Sequence, residues 1–205
     1  MTGRNVHLVT ALESEPAWRQ ERRNRIVAAA AELFNKAPFH SVQMDDIARV
    51  AGLGKPTLYR YFQAKDDLFL AVFDEMLTAL EADLRAALSA DQPPEAKISA
   101  MIRILVARLS TRLASLSILG GDQAGAAFST RQLYVTRRQS LIDLLGRALS
   151  DGQAAGVFKD LDVAATAPML LGLIRSGLLA APDLAPERMT AAAIQLVLHG
   201  TLNRG

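Results

Sequence analysis

The sequence predicts an all-α protein, and three observations support that fold class. Apolar residues recur at steps of three and four along most of the 205-residue chain, which is the period of an amphipathic helix. No stretch alternates apolar and polar residues convincingly, as a half-buried strand would. Clusters of Gly and Pro divide the chain into segments of helical length, and half of the residues are hydrophobic, enough for a sizeable core.

The first helix is expected over residues 18–36, after a flexible tail at residues 1–17. Its opposite face carries several arginines, and Pro38 ends it. The apolar side chains recur at helical steps and form one stripe: Ile26, Ala30, Leu33, Phe34 and Ala37.

Two short helices follow, joined by a turn that contains glycine. The first covers about 44–51, and Gly52 stands one position past its end, where a left-handed cap favours glycine. The second covers Lys55–Tyr61, with Pro56 in the first turn, where no backbone N–H is needed. Leu58 and Phe62, four residues apart, anchor this helix to the core. The arrangement predicts a helix-turn-helix. Its second helix directs four side chains outward: Lys55, Thr57, Tyr59 and Arg60.

From residue 65 onward the pattern predicts a body of longer helices. Proline pairs and glycines separate them, at Pro93–Pro94, Gly120–Gly121 and Gly156. The expected helices cover residues 65–89, 95–118, 122–128, 130–154, 162–181 and 186–202.

The composition argues against several kinds of site. There is no cysteine, and the three histidines, His7, His40 and His199, do not pair at helical ligand spacing, so we expect no metal site and no cofactor.

The N-terminus lacks the apolar stretch of a signal peptide. The most apolar segment, 164–181, is interrupted by Arg175, so we expect a cytoplasmic protein with no membrane span.

Basic charge is concentrated at the N-terminal end. Residues 1–65 contain 10 Lys and Arg against 6 Asp and Glu, whereas residues 66–205 contain 13 against 15. A basic end on a slightly acidic body suggests an anionic partner there. Ordinary variation of surface charge explains the same numbers equally well.

Two blocks of residues make the sequence specific enough to compare with a family. RIVAAAAELF at 25–34 and VQMDDIARVAGLGKPTLYRYFQAKDDLFLAVF at 42–73 resemble the TetR family of bacterial transcriptional regulators. The order of long helices that follows, and the phrase LSDGQAAGVFKDLD at 149–162, are also similar to that family, though less specifically.

The resemblance implies a three-helix DNA-binding head at 18–64 and a ligand-binding and dimerisation body at 65–205. It implies a homodimer that binds a double-stranded, palindromic DNA operator, a small-molecule effector of unknown identity, and a repressor rather than an enzyme. The residues that it marks for DNA binding are Gln43, Gly54, Lys55, Pro56, Thr57, Tyr59, Arg60, Tyr61 and Lys65.

The chemistry of these side chains suits a duplex. Lys55 and Arg60 can reach guanine acceptors or phosphates, and Thr57 offers a hydroxyl and a methyl group. Tyr59 can donate its hydroxyl to a phosphate. Tyr61 is either a second such contact or part of the core.

The sequence departs from the family at three helix starts. Ser or Thr is common there in the family, whereas this chain has Gln43, Gly54 and Ala64. Because an Ala N-cap costs about 0.5–2 kcal/mol against Ser, we expect the free DNA-binding head to be loosely held and to become firmer on DNA.

The last two helices are the least polar and present small residues, which predicts a four-helix interface between two subunits. An intramolecular core would explain one apolar face of each helix but not both. The residues expected at the dimer interface are Leu170, Leu173, Ile174, Leu178, Ala193, Leu196, Val197 and Gly200.

A ligand cavity is expected between the middle helices. The lining candidates, each of which also suits plain core, are Met76, Leu80, Met101, Leu105, Leu109, Phe128, Tyr134 and Met169. Arg108, Arg112, Arg137 and Arg138 either remain solvated or, if one turns inward, hold an anionic group, so a lipophilic or anionic inducer is preferred.

Two other classes of function fit the sequence less well than a regulator. An all-helical enzyme lacks support, because GGDQAG at 120–125 follows a helix rather than a strand, and no nucleophile stands near a base. A non-specific architectural DNA binder would need more basic charge than the net +2 of this chain.

Overall fold

The protein consists of helices throughout the part that the structure describes. The computed structural model describes residues 16–111 and 128–201, with side chains from Val135 onward in the second range. The expected helix at 122–128 lies outside these residues except for Phe128, and so does the expected end of its predecessor at 118. Eight α-helices cover the described chain: α1 Ala17–Lys36, α2 Met44–Val50, α3 Lys55–Tyr61, α4 Lys65–Ser89, α5 Pro94–Ser110, α6 Phe128–Ala154, α7 Val163–Ala180 and α8 Pro186–Thr201.

The N-terminal helices form a head with a core of its own. Helix α1 packs on α2 and α4, and α2 packs on α3. Three rings meet in this core, because Phe34, Phe39 and Phe69 have centroid separations of 5.1 to 5.6 Å. A short 3₁₀ turn at Phe39–Ser41 carries the middle ring. The head is therefore a packed unit that fixes the direction of α3.

The turn between α2 and α3 is closed by backbone hydrogen bonds. Gly52 has φ +65, in the left-handed region that the sequence predicted for it. Its N–H donates to the Arg49 carbonyl at 3.2 Å, and the Leu53 N–H donates to the Ala48 carbonyl at 2.9 Å. These two bonds are the Schellman pattern, which satisfies the last carbonyls of a helix. The turn thereby sets the angle between the two short helices.

Helix α4 belongs to both halves of the molecule. Its first two turns, from Leu68 to Val72, contribute to the core of the head, whereas Phe73 and the following turns contribute to the core of the body. The head core thus extends eight residues, to Val72, beyond the boundary that was expected after residue 64. A movement of α4 must therefore change the position of the head.

The body is built around α5, which contacts α4, α6, α7 and α8. Several of its side chains are completely buried, so its helical stripe is the centre of the body core. Those residues are Ile98, Met101, Ile102, Leu105 and Val106.

Helix α6 ends in a tight contact with the connector that follows it. Phe158 is buried against the end of the helix, and its backbone N–H donates to the Gly152 carbonyl at 3.0 Å. A Cβ atom at Gly152 would lie 2.1 Å from the Phe158 ring. The conspicuous phrase at 149–162 therefore encodes a helix end. Asp162 then caps α7 by accepting a hydrogen bond from the Ala165 N–H at 3.1 Å.

Helix α7 is unusually apolar for a helix at the surface of one protomer. By length and composition alone, Val163–Ala180 could also cross a membrane, and only 28% of its residues are buried. Its buried residues, such as Leu171 and Ile174, belong to the body core. The exposed remainder of an apolar helix needs a partner surface.

Candidate DNA-binding surface, ligand cavity and dimer face

Helix α3 presents a polar surface because one residue fixes its inner side. Leu58 is completely buried in the head core, which contributes about 1.5–3 kcal/mol to stability, and Phe62 is 5% exposed just past the helix end. Thr57 and Tyr61 are half-buried, and Tyr61 packs against the core. The exposed candidates are Gly54, Lys55, Pro56, Tyr59 and Arg60.

Two cations on α3 have different surroundings. The Lys55 ammonium forms an ion pair with the Asp45 carboxylate of α2, with N–O distances of 2.9 and 3.0 Å. This hydrogen bond raises the pKa of Lys55 above its ordinary value. Arg60 has no ion pair or hydrogen bond with any residue of the described chain. Its guanidinium is the cation on α3 that is available to an anion.

Lys65, which was expected beside a phosphate, is held by the head itself. Its ammonium donates to the Phe39 carbonyl at 2.9 Å and to the Val42 carbonyl at 3.0 Å. It also lies 4.4 Å from the centre of the Phe39 ring, a cation–π contact. These contacts fasten the start of α4 to the 3₁₀ turn, so Lys65 supports the head from within.

The three helix starts have the caps that the sequence indicated. Gln43, Gly54 and Ala64 occupy the N-cap positions, and none of them accepts a capping hydrogen bond through a side chain. At α4 the Ala64 N–H donates to the Asp67 carboxylate at 3.1 Å. This is half of a capping box, and it was missed in the sequence although an acid at the third helical position is its signal.

Arginines of α1 extend the basic surface beside α3. The Arg23 guanidinium lies 5.4 Å from the centre of the Phe62 ring and 3.8 Å from the Glu75 carboxylate of α4. Arg22 lies 5.5 Å from the centre of the exposed Trp18 ring. Burial raises the pKa of Glu75, more than the opposing charge of Arg23 lowers it.

A cavity of about 90 Å³ lies in the body, where four helices meet. Helix α4 contributes two wall residues, and α5, α6 and α7 contribute the others. The apolar walls are Phe73, Leu77, Leu109, Leu141 and Leu171. Of the eight ligand candidates, Leu109 borders this cavity.

Two arginines complete the lining of this cavity. Arg138 comes from α6 and Arg175 comes from α7, one turn after Leu171. The Arg175 Nε atom is buried and has no hydrogen-bond acceptor in the described part of the chain. Leaving a buried donor without a partner costs about 1–3 kcal/mol, and more for a charged group. Arg175 was missed as a site residue, because an arginine within an apolar run was taken only as evidence against a membrane span.

The remaining ligand candidates lie elsewhere. Met76 borders a second, more polar cavity of about 210 Å³ between α1, α4 and α5. Leu80, Met101 and Leu105 are completely buried and border neither cavity, so they are core. The side chains of Phe128 and Tyr134 lie outside the described residues. The prediction for Met169 differs from the structure, since this side chain is 71% exposed on α7.

Two of the four arginines that were considered for an anionic ligand are already paired. Arg108 Nε donates to Asp83 at 2.9 Å. Arg137 donates to Asp74 at 2.6 Å and approaches Glu81 at 3.5 Å, and the hydrogen bond to Asp74 raises the pKa of Arg137. All three acids lie on α4, so these pairs join α4 to α5 and α6. Arg112 lies outside the described residues.

The predicted dimer residues divide between the core and the surface. Leu170, Ile174, Leu178 and Ala193 are buried inside the protomer and belong to its body core, so their assignment to the interface does not match their burial. Helices that are apolar all round give no periodic signal that distinguishes the two faces. Leu173 and Leu196 are 42% and 59% exposed, Gly200 is exposed, and Val197 is half-buried.

The exposed side of α7 forms an uncharged stripe at helical spacing. Together with exposed small and apolar residues of α8 it defines what we call the α7–α8 face. Its members are Ala165, Met169, Leu173, Ser176, Ala180, Ala192, Leu196 and Gly200.

Comparison with known proteins places this geometry in a family. A family model described as "Bacterial regulatory proteins, tetR family" matches residues 26–72, and one described as "Tetracyclin repressor-like, C-terminal domain" matches residues 91–177. The HTH-type transcriptional activator FasR of Mycolicibacterium smegmatis is 41% identical over 70 residues. That match covers 34% of this chain and 32% of FasR.

Solved structures share the fold over nearly the whole chain. A transcriptional regulator from Saccharomonospora viridis in complex with choline aligns with TM-score 0.78 and 19% identity, covering 90% of this chain and 100% of the other. FadR from Bacillus subtilis in complex with stearoyl-CoA aligns with TM-score 0.71 and 19% identity, covering 86% and 98%. The helix-turn-helix head, the helical body and both family models lead to one conclusion: the chain belongs to the TetR family of DNA-binding transcriptional regulators, and not to an enzyme family.

Proposed function

We propose that the chain acts in the cytoplasm as a dimeric, ligand-responsive repressor that binds a palindromic operator. The observation that carries the proposal is α3 itself, a seven-residue helix held by the buried Leu58 with its polar side exposed. A short helix presented in this way fits the major groove, which is about 12 Å wide.

Several residues of α3 have a chemical use at DNA. Arg60 has no partner among the described residues and can bind guanine or a phosphate, whereas Lys55 must exchange Asp45 for its DNA partner. Thr57, Tyr59 and the backbone near Gly54 suit sugar and phosphate contacts that position the helix.

Arg60→Ala tests which of these two uses the guanidinium has. If Arg60 reads guanine, the variant loses discrimination at one base pair in each half-site, by about 1–3 kcal/mol. If it binds phosphate, affinity falls similarly on all sequences. Binding titrations on the operator and on single-base variants separate these results. An Arg60→Ala protein that binds every duplex as the parent does would contradict a role for α3 in DNA binding.

The α7–α8 face supports the dimeric state. It leaves leucines and a methionine exposed beside small residues, which allow helices to approach closely. Two copies of α7 and α8 would form a four-helix interface across a twofold axis, as the family resemblance implies. The same axis would place two α3 helices on two half-sites.

The cavity supports control by a small molecule. Phe73 and Leu77 of α4 form part of its wall, and α4 also contributes Leu68 and Phe69 to the head core. At about 90 Å³ the cavity is smaller than typical ligand pockets of about 300–1,000 Å³, so a complete effector must widen it. Widening displaces α4 and with it the head. A ligand that prefers the wider state lowers DNA affinity by its differential binding, typically about 1–3 kcal/mol.

Relatives leave the effector and the direction of control open to experiment. The two structural neighbours carry choline and stearoyl-CoA, which differ in charge and size, and FasR is named an activator. The test is a screen for compounds that raise the melting temperature of the purified protein, followed by titration of each compound into the operator complex. If the protein is a repressor that its effector releases from DNA, a stabilising compound should release the operator. A compound that tightens the complex would contradict this mode of control.

A further inference from the structure

We propose that the body cavity binds an amphipathic anion, with its alkyl chain against the leucine walls and its anionic head group on Arg138 and Arg175. This inference rests on the proposed function, because it names the chemical class of the effector for the same cavity. The anionic group is a carboxylate or a phosphate, since both accept paired hydrogen bonds from a guanidinium.

The walls of the cavity suit an alkyl chain. Five of the residues that line it are Leu or Phe, and they come from all four surrounding helices. Of the described residues that line it, none is acidic and Phe73 is the one aromatic. A quaternary ammonium ligand would need several rings or a carboxylate around it. The lining therefore favours an aliphatic group over a cationic one.

The polar edge of the cavity is cationic and unpaired. Neither Arg138 nor Arg175 has an ion pair or a hydrogen bond with another residue of the described chain. Their positions contrast with Arg108 and Arg137, which acids of α4 hold in place. Arg175 borders the cavity and its Nε is buried without an acceptor, and Nε and one terminal nitrogen of a guanidinium can donate together to an anion. An anionic head group is the ligand that would satisfy this donor.

The position of the anion site also connects the ligand to α4. Arg138 follows Arg137 on α6, and Arg137 holds Asp74 and Glu81 on α4. An anion on Arg138 and an alkyl chain against Phe73 would thus act on both sides of the α4–α6 contact. A ligand of this class would be recognised through its negative charge and would also displace α4.

The test measures binding of matched ten-carbon probes to the full-length protein by isothermal titration calorimetry, without DNA. The probes are decanoate, decyl phosphate, 1-decanol and decyltrimethylammonium, each below its micelle concentration. We expect at least one anion to bind about tenfold or more tightly than the alcohol and the cation. The ranking of decanoate and decyl phosphate identifies the anionic group. Equal binding of alcohol and anions, or preference for the cation, would overturn the proposal.

Arginine variants locate the head group. Arg175→Gln and Arg138→Gln should each weaken binding of the preferred anion about tenfold and leave weak binding of 1-decanol unchanged. Arg147→Gln is the matched control, because Arg147 is exposed on the same helix as Arg138 and does not border the cavity. Parent-like anion binding by both cavity variants, or an equal loss in the control, would show that the anion binds elsewhere. Arg175→Lys adds a check, since it keeps the charge but loses the paired donors.

The outcome separates this inference from the proposed function. Suppose that no decyl probe binds, but the protein selects a palindrome and another compound releases that DNA. The proposed ligand class is then wrong, and the proposed regulatory function is retained. If the anion binds through Arg175 but leaves the operator complex unchanged, the site is real and its coupling to DNA fails.

Discussion

At the scale of single residues, partners decide which cations can meet DNA. The family resemblance marked Lys55, Arg60 and Lys65 alike for DNA binding, whereas the structure distinguishes all three. Arg60 has no partner in the part of the chain that the structure describes, Lys55 is paired with an acid at the surface, and Lys65 donates to two backbone carbonyls inside the head. A sequence read along one dimension does not reveal these pairs, because Asp45 is ten residues from Lys55 and Phe39 is 26 residues from Lys65.

The pairing of Lys55 leads to a prediction about Asp45. Asp45→Asn should strengthen binding to operator and to random DNA alike, because it releases the Lys55 ammonium and removes a negative charge near the phosphates. The gain should be larger on random DNA, so that discrimination falls. Fluorescence anisotropy at several salt concentrations measures both affinities. Asp46→Asn is the control, since Asp46 pairs with Arg49 instead. Weaker binding by Asp45→Asn would mean that the acid positions Lys55 for DNA.

The contact between Gly152 and Phe158 leads to a prediction about stability. Gly152→Ala should destabilise the fold by about 1–3 kcal/mol, because the added methyl group overlaps a buried ring. Thermal unfolding followed by circular dichroism measures this loss. Gly146→Ala is a matched change on the same helix, where the added Cβ would lie 3.4 Å from the Val163 side chain, and it should be neutral or stabilising. Equal melting temperatures for the two variants would contradict the overlap.

At the scale of elements, the sequence predicted the bounds of the short helices. It did not predict which core each part of a long helix joins, or which of its faces is buried. The glycine turn, Pro56 and the pair of Leu58 and Phe62 gave α3 its bounds, and the structure has the same bounds. Helix α4 differs, because periodicity locates its apolar stripe but not the point where one core ends and the next begins. The two faces of α7 were likewise indistinguishable in sequence, since nearly all its positions are apolar or small.

The weak caps lead to a prediction about the head. Ala64→Ser should complete the capping box with Asp67 and raise stability by about 0.5–2 kcal/mol, and Gly54→Ser should add a few tenths. Melting temperature without DNA measures the change, and Gln63→Ser, one position before the cap, is the control. An unchanged melting temperature for Ala64→Ser would contradict the idea that the free head is loosely held by its caps.

At the scale of the whole molecule, function depends on a second copy of the chain. One head presents one seven-residue helix, which contacts only a few base pairs, and the cavity acts on DNA through α4. Composition, the helical period and the two motif blocks predicted the fold class and the family. They could not predict the cavity walls, or which face of α7 is buried and which is exposed, because these depend on how four helices pack in three dimensions.

The exposed α7–α8 face leads to a prediction about assembly. Leu173→Glu together with Leu196→Glu should give a folded monomer, because burying unpaired carboxylates in an apolar interface costs several kcal/mol. Analytical ultracentrifugation measures the mass, and circular dichroism checks the fold. Val135→Glu is the control, since Val135 is also exposed, at 54%, but lies on α6. A variant that remains dimeric would assign the interface to another surface.

The most direct test of the account is the selection of bound duplexes from a random DNA pool by the purified protein. Two α3 helices on a twofold axis require an inverted repeat whose half-site centres lie about 34–36 Å apart, or a multiple of that distance. A single unrepeated site, or no enriched sequence, would contradict it.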